Sequence, residues 1–387
     1  MKTTAIISEY NPFHNGHKYH IEQTKSEFGA THVIAVMSGN FTQRGDVAVF
    51  DKFTRARMAL ENGVDLVLEL PVAAALGSAE QFAAGAVNII DALNCVDILS
   101  FGSECGDIDT LKETAGAVEF ALEADEFMGF MKRGSTYPVA LTKTIENYYD
   151  DEIIETLASP NNTLAVEYLR ALANSGSSAE PVTVKRSGAE HDSEQVSENI
   201  ASASLLRKKI IRGESVSDFT PCNFPDDFAC ISRLEAVILY KLRTMTPEEI
   251  ADTPNVMHGL ENRIVKAARA AKSLSELMFL IKTKRYTLAR LRRIVLCCLL
   301  GITKADAKRK PQYIRILAMN EKGREILAGV KSDLPIDASL SALIKRGDGC
   351  RKQAFSEIRA GDIYGLAFEK IKPCGLELTS KPVIISS

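Results

Sequence analysis

No two of the eight cysteines (Cys95, Cys105, Cys222, Cys230, Cys297, Cys298, Cys350 and Cys374) stand in a C-x-x-C spacing. Adjacent Cys297 and Cys298 lie inside an apolar run. This pattern argues against a zinc site and a disulfide framework, and a reduced, cytoplasmic protein is expected. Long apolar runs are missing as well. The longest, such as Ile294 to Ile302, fall well short of the roughly 20 residues that span a membrane. The start MKTTAIISEYNPF has one lysine and then a strand-like stretch broken by Glu9 and Pro12, which fits neither a signal nor a transit peptide. Charge of one sign is absent: 47 Lys and Arg face 50 Asp and Glu, a net of -3 at pH 7. The chain is no bulk polycation, so a nucleic acid would have to meet a local basic patch. Neither a repeat nor a low-complexity segment is visible. With 45% hydrophobic and 25% charged residues, wholesale disorder is excluded.

The 387 residues have room for two or three domains. Over the first two hundred, strand-like and helix-like segments alternate. Strands are expected at Thr3 to Ser8, His32 to Met37, Val64 to Leu70, Asp97 to Phe101 and Val182 to Lys185. Helices are expected at Gly16 to Phe28, Lys52 to Asn62, Ala79 to Leu93, Leu111 to Glu123 and Thr163 to Ala173. Such alternation implies an α/β fold with a Rossmann-like parallel sheet and ligands beyond the carboxyl ends of its strands. After Gly213 the texture changes. Helical patterns follow at Ile231 to Thr244, Leu260 to Ala271, Ser275 to Ile281 and Leu288 to Gly301, and Leu376 to Ile385 is β-flavoured. The expected division is 1–213, a nucleotide-binding catalytic domain, and 214–387, a mainly helical domain with a short β-flavoured tail.

The strongest motif joins the first strand to the first helix: Ile7, Ser8, Glu9, Tyr10, Asn11, Pro12, Phe13, His14, Asn15, Gly16, His17, Lys18, Tyr19, His20. His14 and His17 are three apart at a helix start, so both can face one anion. Gly16 permits close approach of a ligand, and the helix terminus adds free N–H groups. This suits a phosphate whose charge grows in a transition state. Smaller features lie at other strand ends. Gly102 ends a strand and leaves room over the backbone. Asn161 and Asn162 precede a helix, where either caps it or meets a nucleotide. Lys185 and Arg186 form a basic pair at the same sheet edge. The polar loop Ser38 to Gly45 can cover a second substrate. From Arg263 to Arg293 ten Lys or Arg accompany a single acid, Glu276. That local excess of +9 fits phosphate-backbone binding. Tyr286 within it either stacks on a base or packs.

His14, Gly16 and His17 match the H-x-G-H signature of the nucleotidylyl transferase superfamily. Ser202-Ala203-Ser204-Leu205-Leu206-Arg207 resembles its second signature, with Ala203, Ser204 and Leu206 as mild departures. Beyond these, EYNPFHNGHKYH at 9–20, VMSGNFTQRG at 36–45, ELP at 69–71, FGSE at 101–104, PNNTLAVEY at 160–168, KTKRYTLARLRR at 282–293 and NEKGREIL at 320–327 resemble the bacterial tRNA(Met) cytidine acetate ligase family over most of the chain. The resemblance implies an ATP-dependent ligase. Acetate and ATP give acetyl-adenylate, and the acetyl group passes to the 4-amino group of the wobble cytidine in elongator tRNA(Met). It implies His14, His17 and Arg207 as catalytic groups. ATP would contact residues 7–20 with Gly102, Asn161, Asn162, Lys185, Arg186, Ser202 and Ser204. A plain helix cap is the alternative for Ser202. Lys282, Lys284, Arg285, Arg290 and Arg293 would hold tRNA. Magnesium is expected with the triphosphate, but no protein ligand for a metal is visible. Acetate and tRNA are the expected partners, with no DNA and no membrane. A small-molecule adenylyltransferase of the same superfamily is the alternative.

Overall fold

Strands that read as almost continuous apolar runs are buried on both faces, the condition for the centre of a parallel sheet. In the computed structural model, which describes residues 1–186 and 199–386, these are β1 (Thr3–Ser8), β2 (His32–Ser38) and β3 (Leu66–Leu70). They are followed by β4 (Ile98–Ser103), β5 (Glu180–Lys185), β6 (Ile314–Met319), β7 (Ile336–Asp337) and β8 (Val383–Ile384). The sheet order is β8-β6-β3-β2-β1-β4-β5, with β7 beside β6. All pairs are parallel except β3 with β6. The chain steps outward from β1 through β2 to β3, then restarts on the other side with β4. The crevice between β1 and β4 is therefore the switch point where such sheets bind ligands.

The longer helices are α1 (Asn15–Phe28), α2 (Lys52–Glu61), α3 (Ala79–Leu93), α4 (Ile108–Glu123), α5 (Asp125–Lys132), α6 (Tyr137–Ile145), α7 (Asp151–Ala158), α8 (Pro160–Ser175), α9 (Ala203–Ile211), α10 (Glu235–Thr244), α11 (Leu260–Ala270), α12 (Leu274–Ile281), α13 (Leu288–Leu300), α14 (Glu321–Gly329) and α15 (Asp348–Gly365). Their starts are capped as the sequence allows. Asp51 accepts from the Phe53 and Thr54 N–H groups, and Ser78 with Gln81 forms a capping box. None of the described helices is long and apolar enough to cross a membrane. The sequence reading leaves α5, α6, α7, α14, α15, β6 and β7 unassigned. It also extends the tail as a strand, whereas Leu376–Thr379 is a turn of helix and only Val383–Ile384 pairs.

Both sides of the 213/214 division contribute to one sheet, because β6 and β8 come from the second. The NEKGREIL motif explains part of that docking. Asn320 caps α14, and its side-chain amide donates to Asp65 Oδ1 at 3.0 Å. A Cβ on Gly323 would stand 2.3 Å from the Asp65 carbonyl oxygen, so only glycine lets α14 lie this close to the start of β3.

A buried charge cluster completes the join. Lys52, Glu69, Arg315 and Glu377 are each at most 5% exposed. Lys52 Nζ lies 2.5 Å from Glu69 and 2.7 Å from Glu377, and Arg315 meets the same two carboxylates. Two positive and two negative groups balance. Burial opposes the Glu377 carboxylate, but Lys52 and Arg315 outweigh it and hold its pKa below the ordinary value. Glu357 is the surplus acid. Its Oε1 accepts from the Val72 N–H at 2.8 Å. Burial first and the Glu69 charge second push its pKa from 4.5 up to about 8. The stability from that retained proton is full below the unfolded value and lost as pH rises toward the folded one. Glu357→Gln keeps an acceptor for Val72 and buries no charge. Its thermal midpoint should therefore gain on the wild type steadily between pH 5 and 8. A gap independent of pH in parallel melting series would refute this account.

Candidate active site

The turn after β1 is built to present two imidazoles. His14 caps α1 from an extended conformation, and its Nδ1 accepts the Gly16 N–H at 3.1 Å. His17 Nδ1 accepts the His14 N–H at 3.2 Å, which closes a reciprocal capping box. The rings stack with centroids 3.7 Å apart and planes at 24°. A Cβ at Gly16 would stand 3.0 Å from the His14 ring. Since both Nδ1 atoms accept, each neutral ring carries its proton on Nε2, the edge turned away from its backbone partner. Burial, then the charges of Arg186 and Arg207, drives the His14 pKa down to about 3. Burial, then His14, Arg186 and His20, drives His17 well below its usual value. At neutral pH the pair therefore offers two uncharged N–H donors, while Arg186 and Arg207 supply the positive charge.

The pair has an apolar backing. Tyr10 and Phe13 are in the core, with ring centroids 5.0 and 5.5 Å from His17. Tyr10 adopts φ 45°, a left-handed conformation unusual for a bulky residue. Asn11, which precedes a cis peptide to Pro12, accepts the Val49 N–H on Oδ1 at 2.8 Å. Its carbonyl accepts from Arg207 Nη1 at 2.8 Å. Ser8 is buried, Ile7 half-buried and Lys18 exposed. Asn15 Nδ2 donates to the Asn199 and Asp218 carbonyls. His20 shares Ser100 Oγ (3.0 Å) with Thr24, linking α1 to β4. Tyr19 is half-buried on the same helix.

Across the crevice, the stem of Arg186 passes over Gly102, where a Cβ would meet Arg186 Cγ at 3.4 Å. Lys185 is exposed, and its stem covers Gly106. Asn162 is buried and accepts the Glu104 and Cys105 N–H groups on Oδ1. Glu104 answers by accepting from the backbone of Asn161 and Asn162 and from Asn161 Nδ2 at 2.6 Å. The two asparagines thus lock the loop that follows β4. Ser202 caps α9, accepting the Leu205 N–H at 3.2 Å, and Ser204 is half-buried beside it. Arg207, one turn on, reaches the His14 turn. His14, His17, Arg186 and Arg207 therefore converge at the switch point.

The loop Ser38 to Gly45 adds groups that sequence patterning missed. Arg55, fully buried on α2, donates to the carbonyls of Glu9, Ser38, Gly39 and Phe50. It ties the ends of β1 and β2 together. The only sequence signal was an arginine on the apolar face of a short helix. Gln43 joins the two halves of the molecule. Its N–H donates to Glu9 Oε1 at 2.7 Å, and its carbonyl accepts from Arg293 Nη1 at 2.9 Å. Gly45, at φ 75°, lets α13 pass, since a Cβ would lie 2.6 Å from Arg292 Cβ.

The basic stretch divides accordingly. Lys282, Lys284 and Arg285 are exposed, although Lys282 Nζ also reaches the Tyr286 carbonyl. Arg290 donates to the Asn255 carbonyl at 2.9 Å and stands over the Tyr286 ring. Arg293 is committed to Gln43. Tyr286 is buried, so it packs rather than offering a stacking face. Further along, exposed Lys266 and Arg269 line an open groove of about 560 Å³ with Pro247, Asn262, Val265 and Ala270.

Comparison with known proteins gives the family and the fold. The HIGH Nucleotidyl Transferase family matches residues 1–377. The tRNA(Met) cytidine acetate ligase of Acetivibrio thermocellus is 38% identical over the full length of both chains. The chain belongs to the tRNA(Met) cytidine acetate ligase family. A second ligase of this name, from Thermoanaerobacter sp., is 40% identical over 97% of this chain and 98% of its own. In three dimensions the apo crystal structure of Thermotoga maritima TmcAL superposes with a TM-score of 0.92 at 32% identity, over the whole of both chains. TmcAL bound with alpha-thio ATP gives 0.90 at 31%, again over the whole of both.

Proposed function

We propose that this chain is an ATP-dependent ligase that forms acetyl-adenylate from acetate and ATP and acetylates the wobble cytidine of elongator tRNA(Met). The observation that carries this reading is the stacked, neutral His14–His17 pair with two Nε2–H donors at the helix terminus of the switch point. An acetate oxygen attacks the α-phosphorus, the bond to the pyrophosphate oxygen breaks, and pyrophosphate leaves. His14 and His17 donate to the phosphate oxygens as charge builds, and Arg207 and Arg186 offset the charge of the leaving group. The adenosine would lie against the Arg186 stem that covers Gly102 and the loop locked by Asn161 and Asn162. Among the described residues no three His, Cys, Asp or Glu side chains converge as a metal cage. Magnesium would thus travel on the triphosphate, and no residue here is assigned to it. A tRNA substrate supports a cytoplasmic location. Relatives of equal length that carry the ligase name favour this over a small-molecule adenylyltransferase. The test is incubation with ATP, labelled acetate and bacterial tRNA, followed by nucleoside analysis. Label in acetylcytidine is expected; label retained in a small adenylylated product would support the alternative.

In this reading residues 1–213 handle ATP and the exposed cations of 214–387 hold tRNA. Replacing Lys282, Lys284 and Arg285 together should weaken tRNA binding and flatten its salt dependence by about two to three units of log–log slope. A salt titration of affinity measures this. An unaltered slope places the RNA elsewhere, for example along Lys266 and Arg269.

A further inference from the structure

The second half-reaction poses a problem that the histidines do not solve. The exocyclic amine of cytidine is a poor nucleophile, because its lone pair is delocalised into the ring, and it must lose a proton as it acylates. His14 and His17 have their Nδ1 atoms occupied by backbone N–H groups and carry protons on Nε2, so they donate and do not accept.

We propose that Glu9 is the general base of acetyl transfer, held in place by the Gln43 peptide that Arg293 clamps from the helical half. Glu9 directly follows β1 at the switch point and is half-buried. Its Oε1 is fixed by the Gln43 N–H at 2.7 Å, and Oε2 accepts no hydrogen bond from any described residue. On the far side of the same peptide, Arg293 holds the Gln43 carbonyl at 2.9 Å. The element that would sense tRNA and the carboxylate are thus joined through one peptide unit. Burial raises the Glu9 pKa, against the Gln43 N–H and the charges of Arg207, Arg44 and Arg55. Tyr168 of α8 also feels its charge. A raised pKa makes a stronger base, and the three arginines favour its charged form.

The step balances. The cytidine nitrogen bonds to the acetyl carbon, the carbon–oxygen bond to the adenylate breaks, AMP leaves with that electron pair, and the amine proton passes to Glu9. Arg293 touches no reacting atom and is a positioning residue.

This rests on the acetyl-transfer reading, so the experiment follows both half-reactions in the full chain. Acetate-dependent exchange of pyrophosphate into ATP reports adenylation and folding together; single-turnover transfer from preformed acetyl-adenylate to tRNA reports the second step. Glu9→Gln should lower transfer on the order of a hundredfold more than it lowers exchange. The rise of transfer rate with pH through the Glu9 pKa should vanish in this variant. Arg293→Gln should show the same split more weakly, with the pH profile displaced rather than lost. Equal losses in both steps would make Glu9 an adenylation or folding residue and overturn the proposal. So would the same split in Asp46→Asn, a neighbouring acid also raised by burial and near Arg207. If the wild type itself transfers no acetyl to tRNA, the functional reading fails, not the assignment of the base alone.

Discussion

Alanine at His14 or His17 should cut acetyl-adenylate formation on the order of a hundredfold or more, the loss typical of one preorganised donor to a developing oxyanion. The donors need no reorganisation at the moment of reaction, because each ring is locked by a backbone N–H on Nδ1 and by the other ring at 3.7 Å. The two losses should not add. Removing His14 removes the cap that shapes the turn and the surface on which His17 stacks, so the double variant should fall little below the worse single one. Protonation gives a second signature. His14 stays neutral down to about pH 3, and His17 is likewise held well below its usual value. A lowered pKa means that the donor form is present throughout the neutral range and changes only in strong acid. Adenylation should therefore show no inflection near pH 6.5 attributable to either ring. Pyrophosphate exchange in the purified variants, with a pH series on the wild type, measures both. Wild-type exchange in either alanine variant would falsify the assignment.

Arg315→Met should destabilise the protein by about 3–5 kcal/mol, the range for breaking a buried ion pair from one side. Arg315 is 1% exposed between Glu69 and Glu377. Its loss leaves Lys52 alone against two buried carboxylates, with Glu357 already forced to keep its proton. Removing Glu377 as well leaves Lys52 and Glu69 as a neutral pair 2.5 Å apart. Arg315→Met with Glu377→Met should therefore recover much of the loss and fall well short of the sum of the single changes. Denaturant unfolding of the two singles and the double closes the cycle, and strict additivity would show that the four charges do not act as one unit. The loop over the site should loosen in Arg315→Met too, since Glu69 lies under Gly39, where a Cβ would stand 2.8 Å from its carboxylate.

The sequence by itself determined the alternation from β1 to β5 and the helices between them other than α5, α6 and α7, because apolar runs and their period are local properties. It also determined the His14–Gly16–His17 motif, since three-residue spacing at a helix start brings both side chains to one place whatever lies beyond. What it could not reveal was which distant groups meet. Asn161 and Asn162 read equally as caps or nucleotide contacts. Only the fold shows them tied to Glu104, because that contact needs β4 and α8 side by side. The cations of 263–293 read as one patch. Tertiary packing spends Arg290 on Asn255 and Arg293 on Gln43 and leaves Lys282, Lys284 and Arg285 outward. Tail residues that read as a strand fold partly as helix, which carries Glu377 to Lys52 and Arg315. A buried charge finds its partner only in three dimensions, and nothing in the spacing of residues 52, 69, 315 and 377 announces it.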